Sequence, residues 1–178
     1  MPDITIANEG PTIAKFNVKI KGTIEDVWRE ITRTDGKPIP AFFNSVMHAK
    51  SLTPGSKIAM RTPDGKYTGV VGEITEFDPP KRFAHTFKFT NYNDPECVVV
   101  YDLESVSDGV SFTLTIRDIP VNTKTAKQML MGGKMIVGTL KSVIETGKPS
   151  TGTRMLFVMF KVMGLFTPKK CLSEHWPV

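Results

Sequence analysis

The chain has 178 residues, a net charge of +5 and 40% hydrophobic side chains, the size and composition of one ordinary domain with enough apolar surface for a core. Cys97 and Cys171 make neither a metal spacing nor a disulfide framework, which excludes a cystine-stapled fold and points to a reducing compartment. The first ten residues lack a basic stretch followed by an apolar one, so no secretory signal is expected and the expected location is cytoplasmic.

The positive charge is concentrated late. From residue 146 onward Lys148, Arg154, Lys161, Lys169 and Lys170 face only Glu174, so the tail supplies +4 and the body about +1. With no basic groove and no aromatic-rich basic motif, nucleic acid is not an expected partner.

Residues 15–21 alternate Phe16, Val18 and Ile20 against polar neighbours, the period of a half-buried strand. A helix follows at once: Thr23 is a suitable N-cap with Asp26 three residues on, and Ile24, Val27, Trp28 and Ile31 fall on one helical face. Asp35-Gly36-Lys37-Pro38 breaks the chain, and residues 39–47 are expected to form a short second helix carrying Phe42, Phe43, Val46 and Met47. From about residue 57 to 117 the pattern changes to strands separated by turn signals at 63–66, 78–81, 91–95 and 107–109, a meander. Phe83, His85, Phe87 and Phe89 share one face of their strand, and Phe112, Leu114 and Ile116 repeat the pattern, so one face of the sheet is buried.

The longest helical stretch runs from 123 to 147. Ala126, Met129, Leu130, Gly133, Ile136, Val137, Leu140, Val143 and Ile144 lay an apolar stripe along it, with capping residues at 122, 123 and 125 and a stop at Gly147 and Pro149. Gly132 and Gly133 each cost about 1 kcal/mol in a helix interior, so they mark either a kink or a close backbone approach. The element order gives an α+β arrangement whose sheet folds around this helix, leaving a gap lined by Phe, Met and Tyr suited to a small molecule.

Glu25-Asp26-Val27-Trp28, residues 72–83 with Asp78-Pro79-Pro80-Lys81-Arg82, and Gly133, Leu140-Lys141 and Ile144-Glu145-Thr146-Gly147 together resemble the SRPBCC or START-like (Bet v-like) superfamily. Within it, the chain is most similar to the branch named for activator of heat shock protein 90 ATPase homologues. The resemblance spans about residues 15–148. It implies a helix-grip fold, a curved antiparallel sheet gripping the long C-terminal helix around an apolar cavity, here with an extra C-terminal helical segment. One SRPBCC/START-like domain is expected over 1–178, with its core at 15–148 and an extension at 149–178.

No Gly-x-Ser-x-Gly, phosphate-binding glycine loop or His/Cys/Asp metal spacing is present, so no catalytic residue, metal or cofactor is expected. His85 stands out because it interrupts an apolar face within reach of Tyr101 or Asp102. The expected ligand-binding set is Phe42, Phe43, Met47, His85, Phe87, Phe89, Tyr101, Met129, Gly133 and Val137. The functional expectation is a carrier or sensor of a small hydrophobic molecule, lipid or aromatic. One alternative, implied by the resemblance alone, is a co-chaperone that activates a chaperone ATPase. The other is a cyclase, dehydrase or hydrolase using His85 and Tyr101.

Residues 155–166 are nearly all apolar, yet as a helix they would reach only about 18 Å, too short to cross a bilayer. The leading expectation is packing on the chain's own domain. A homodimer interface comes second, and contact of 155–170 with a membrane surface, through Arg154, Lys161, Lys169 and Lys170, comes last.

Overall fold

The structure is a computed structural model and describes residues 4–8, 10–163 and 167–178. Its strands are β1 (Ile4–Asn8), β2 (Ala14–Ile20), β3 (Val46–Ala49), β4 (Lys57–Arg61), β5 (Thr68–Asp78), β6 (Arg82–Phe89), β7 (Cys97–Val106) and β8 (Gly109–Arg117). The helices are α1 (Ile24–Ile31), α2 (Lys124–Thr146) and α3 (Thr151–Met163). All eight strands join one antiparallel sheet in the order β1-β2-β8-β7-β6-β5-β4-β3. The sheet curves around α2, the α+β arrangement expected from the element order and the helix-grip fold that the resemblance implied.

Local chemistry accounts for the elements. Thr23 caps α1 by accepting from the Asp26 amide, and Thr123 caps α2 by accepting from the Ala126 amide. A second acceptor at the start of α2 comes from the sheet, where Asp94 Oδ2 takes the Thr125 amide at 2.9 Å. Gly147, at φ 74°, ends α2 in the left-handed conformation and returns its amide to the Val143 carbonyl. On the outer face of the sheet Arg82 ties β5 to β7, donating to Glu76 at 2.6 Å and to Asp102 at 2.5 Å.

The structure adds one strand, corrects one helix and decides between the two readings of the glycine pair. Residues 4–8, for which no element was expected, form β1, paired with β2 from Ile4↔Val18 to Asn8↔Ala14. The short helix at 39–47 is only a 3-10 turn, Pro40–Phe42. Phe43 and Asn44, at φ 56° and 61°, stop it, and Val46 and Met47 continue as β3. The glycine pair does not break α2, which is helical through all 23 residues. Its purpose is close approach. A Cβ added at Gly133 would sit 2.3 Å from the Phe16 ring of β2, and one at Gly132 would sit 3.3 Å from the end of Phe43.

The apolar extension is helical, as expected; on the part whose side chains are described, Met155 and Val158 are 73% and 66% exposed while Leu156 and Phe157 are half-buried. Residues 164–166 of the expected segment lie outside the described residues. Beyond them the chain returns to the sheet, where Leu172 bridges Tyr67, Ser173 donates its amide to the Lys66 carbonyl at 3.0 Å, and Cys171 is buried.

The glycine contacts make a paired prediction. Alanine improves intrinsic helix propensity by about 1 kcal/mol at either position, but overpacking a tight core costs about 1–3 kcal/mol. Gly133→Ala, against the buried Phe16, should lower the urea midpoint. Gly132→Ala, against the partly exposed Phe43, should leave it equal or raise it. A Gly133→Ala protein as stable as the parent would show that the Phe16 contact is not the constraint described.

Candidate functional site

The polar centre of the interior is a pair of side chains on neighbouring strands. His85 of β6 and Tyr101 of β7 are 0% and 3% exposed, and the Tyr101 hydroxyl lies 3.5 Å from His85 Nε2. The alternation of β6 and β7 points both inward, among Phe83, Phe87, Phe42 and Phe112. Asp102, the other candidate partner of His85, faces the opposite way and binds Arg82.

A gap in the ladder between β5 and β6 fixes the tautomer of His85. The pairing passes from Val71↔Lys88 to Ile74↔His85 in one register with Gly72 and Glu73 outside the ladder, and the register shifts just beyond, between Ile74 and Glu76. In the interval the Glu73 amide is taken by the Thr86 hydroxyl at 3.0 Å, and the Thr86 carbonyl is taken by His85 Nδ1 at 2.7 Å. A carbonyl can only accept, so Nδ1 carries the hydrogen and the neutral ring presents a bare Nε2 to Tyr101. Gly72 makes room for this, since a Cβ there would lie 1.9 Å from the Thr86 oxygen.

Electrostatics keep both groups uncharged. Burial pushes the imidazole down to about 4 from 6.5, against a smaller opposing effect of the Thr86 hydrogen bond. Burial also holds the Tyr101 phenol above its ordinary range and pushes the Cys97 thiol up to about 12. The centre is thus a neutral acceptor beside a neutral donor in an aromatic shell. It can orient a hydroxyl or carbonyl, and a 3.5 Å separation leaves hydrogen-bonding capacity on both members.

Of the residues expected to line a site, Phe42, His85, Phe87, Phe89 and Tyr101 form a continuous run of ring contacts. Met47, Met129 and Val137 are buried in the same core, Gly133 faces Phe16, and Phe43 lies on Gly132 at the surface. Two concavities open elsewhere: one is bounded by Arg29, Glu30, Arg33, Thr34 and Asp35, the other by residues of β5–β8 around Arg82 and Asp102. Both are lined mainly by charged and polar residues and neither touches the expected lining; the interior pair itself is buried. Sequence reasoning missed Gly72 and Thr86. A lone glycine inside a strand pattern was the available signal.

Residues 21–145 match the family described as activator of Hsp90 ATPase homolog 1-like protein. The chain belongs to this family. Among solved structures, CalU16 from Micromonospora echinospora aligns with a TM-score of 0.62 and 18% identity, over 88% of this chain and 92% of that one. The Aha1 dimer from Colwellia psychrerythraea gives 0.61 and 19%, over 75% and 96%. DynU16, described as a protein in the dynemicin biosynthetic locus, gives 0.62 and 21% over 78% of this chain, which spans 49% of DynU16. At these identities the likeness concerns the fold. No functionally curated protein matches the sequence.

The buried imidazole predicts a pH dependence. Between pH 6.5 and about 4 the unfolded chain binds a proton at this histidine and the folded chain does not. Stability therefore falls as pH falls through that window, by up to an amount on the order of 3 kcal/mol, and this contribution is constant above it. Urea unfolding of the parent and of His85→Gln at pH 7.5 and at pH 4.5 should show a smaller loss in the variant. Equal losses would mean that His85 is not the group responsible.

Proposed function

We propose that the chain binds a small hydrophobic ligand, an aromatic or lipid-like molecule bearing a hydroxyl or carbonyl, between the sheet and α2. The single observation that supports this most is the neutral His85–Tyr101 pair, under-bonded at 3.5 Å within a shell of phenylalanine rings. A purely structural polar pair would gain from closing that distance, whereas a ligand group could use both partners. Access is by way of the Pro40–Phe42 turn. Phe42 lies over Tyr101 with ring centroids 5.6 Å apart, on a three-residue turn followed by two left-handed residues. Displacing that turn would uncover the pair, with Met47, Met129 and Val137 in the same core and Phe87 and Phe89 continuing the ring contacts from His85.

The reading is of binding, as a carrier or sensor. His85 and Tyr101 would orient the ligand, and no group among the described residues is placed to act with them as a charged acid or base. The family description supports a second reading, activation of a chaperone ATPase, and the Aha1 relative's dimeric state supports a homodimer. Stimulation of ATP turnover by an empty protein would favour that second reading.

Binding of 1-naphthol and of naphthalene, followed by ligand fluorescence, tests the pair. The parent should bind both with one-to-one saturation. Tyr101→Phe should weaken 1-naphthol by roughly fivefold to tenfold, the worth of one buried hydrogen bond, and leave naphthalene unchanged. Absence of saturable binding, or equal weakening of both ligands, would count against the site.

A further inference from the structure

The charge of this chain is unevenly distributed along it. Of its 23 Lys and Arg residues, nine lie in residues 119–173, the stretch that forms α2, α3 and the return to the sheet; of its 18 Asp and Glu residues, only Glu145 does. That stretch is +8 and the remainder of the chain is −3. The one carboxylate is occupied, since Glu145 accepts from Lys141 at 2.5 Å.

Exposed apolar side chains gather in the same stretch of chain. Eight large hydrophobic residues are exposed among the described ones, and six of them, Val121, Leu130, Met131, Met155, Val158 and Met159, belong to it. On α2, Leu130 and Met131 lie between the exposed Lys127 and Lys134; on α3, Met155 and Val158 follow the exposed Arg154. Soluble surfaces avoid concentrating such groups unless something covers them.

The extension is also held at both ends. It leaves α2 at the Gly147 cap and rejoins the body at Cys171 and Leu172. Lys170 Nζ is there 3.5 Å from Asn93, next to Asp94, which caps the first turn of α2. The chain thus runs back from the C-terminal end of α2 toward its N-terminal end, carrying α3 along.

We propose that this α2–α3 layer docks on the surface of an anionic lipid bilayer, with α3 lying at the level of the headgroups. A 13-residue helix is about 20 Å long, too short for the hydrocarbon core of about 30 Å. No described helix is long and apolar enough to cross a membrane. Lying flat, α3 buries Met155, Val158 and Met159 among acyl chains while lysines and Arg154 reach the phosphates. The charge distribution selects this occupant. A second copy would bring one +8 layer against another, and an acidic protein would need recesses shaped for these side chains, whereas a bilayer accepts them at any register.

Flotation of the purified full chain with vesicles tests the proposal. Vesicles of phosphatidylcholine containing about 30% phosphatidylserine should carry the protein, and pure phosphatidylcholine vesicles should not. Raising NaCl from about 0.1 M to about 0.5 M should release it. The double variant Met155→Glu, Val158→Glu should bind at least ~10-fold more weakly. Lys127→Glu, Lys134→Glu, at exposed helical positions that leave the core intact, should do the same and keeps the test open if the first variant misfolds. No flotation with anionic vesicles, or flotation unchanged in the charge variant, overturns the proposal. So does a dimer in sedimentation that Met155→Glu, Val158→Glu dissociates, which would assign the face to a second copy.

Discussion

The distance between α2 and the sheet is set by one contact, the Phe16 ring pressed onto the helix backbone at Gly133. Any side chain there would move the helix outward, and α2 could not then bury Met129, Val137 and Leu140 as deeply. The neighbouring Gly132 extends the same close approach to Phe43, which fixes the Pro40–Phe42 turn against the helix. That turn in turn brings Phe42 over Tyr101. The enclosure of the polar pair is therefore a downstream result of two glycines whose helix propensity, taken alone, is a local loss.

The second constraint is inside the sheet. An imidazole at the centre of an aromatic face needs a hydrogen-bond partner, and regular pairing would consume every nearby carbonyl. The irregularity opposite Gly72 releases the Thr86 carbonyl for that purpose, and the Thr86 hydroxyl compensates the Glu73 amide left behind. Neutrality of His85 follows from burial, which outweighs the opposing effect of the Thr86 hydrogen bond. Strand geometry sets the tautomer; burial, not a charged neighbour, sets the charge.

Much of this was legible in the sequence, and the limits have physical causes. The strands β6 and β8 alternate in sequence with Phe83, His85, Phe112 and Leu114 on the buried face, and α1 and α2 carry both an apolar stripe and a capping threonine. β1 was hidden because an edge strand with Ile6 exposed has little burial to declare itself. Residues 39–47 misled because Phe42, Phe43, Val46 and Met47 fit a helical face, whereas left-handed Phe43 and Asn44 divide a turn from a strand. Of the candidate site, the ring contacts of His85 with Tyr101 and Phe87 follow from strand alternation. The role of Gly72 did not, since close approach between strands depends on a register that composition does not encode. The segregation of charge into residues 119–173 was also present in the sequence, but acquires meaning only once Lys127 and Lys134 are seen to be exposed beside Leu130 and Met131 on α2.

The sheet closes over long stretches of chain. Asn17 of β2 bonds Ser111 and Thr113 of β8, across separations of 94 and 96 residues, and Thr68 bonds Ser173 across 105. Such pairings form only after the intervening chain has been ordered or looped out, and topologies dominated by them fold slowly. The hairpins from β4 to β8 are local and can assemble first, leaving β8 as an unpaired edge until β2 arrives. Because α2 rests on β2 through Phe16, the helix has no finished surface to settle on before that event. During that interval the edge of β8 and the apolar stripe of α2 are exposed together, and this is when the chain is most prone to associate with other copies of itself.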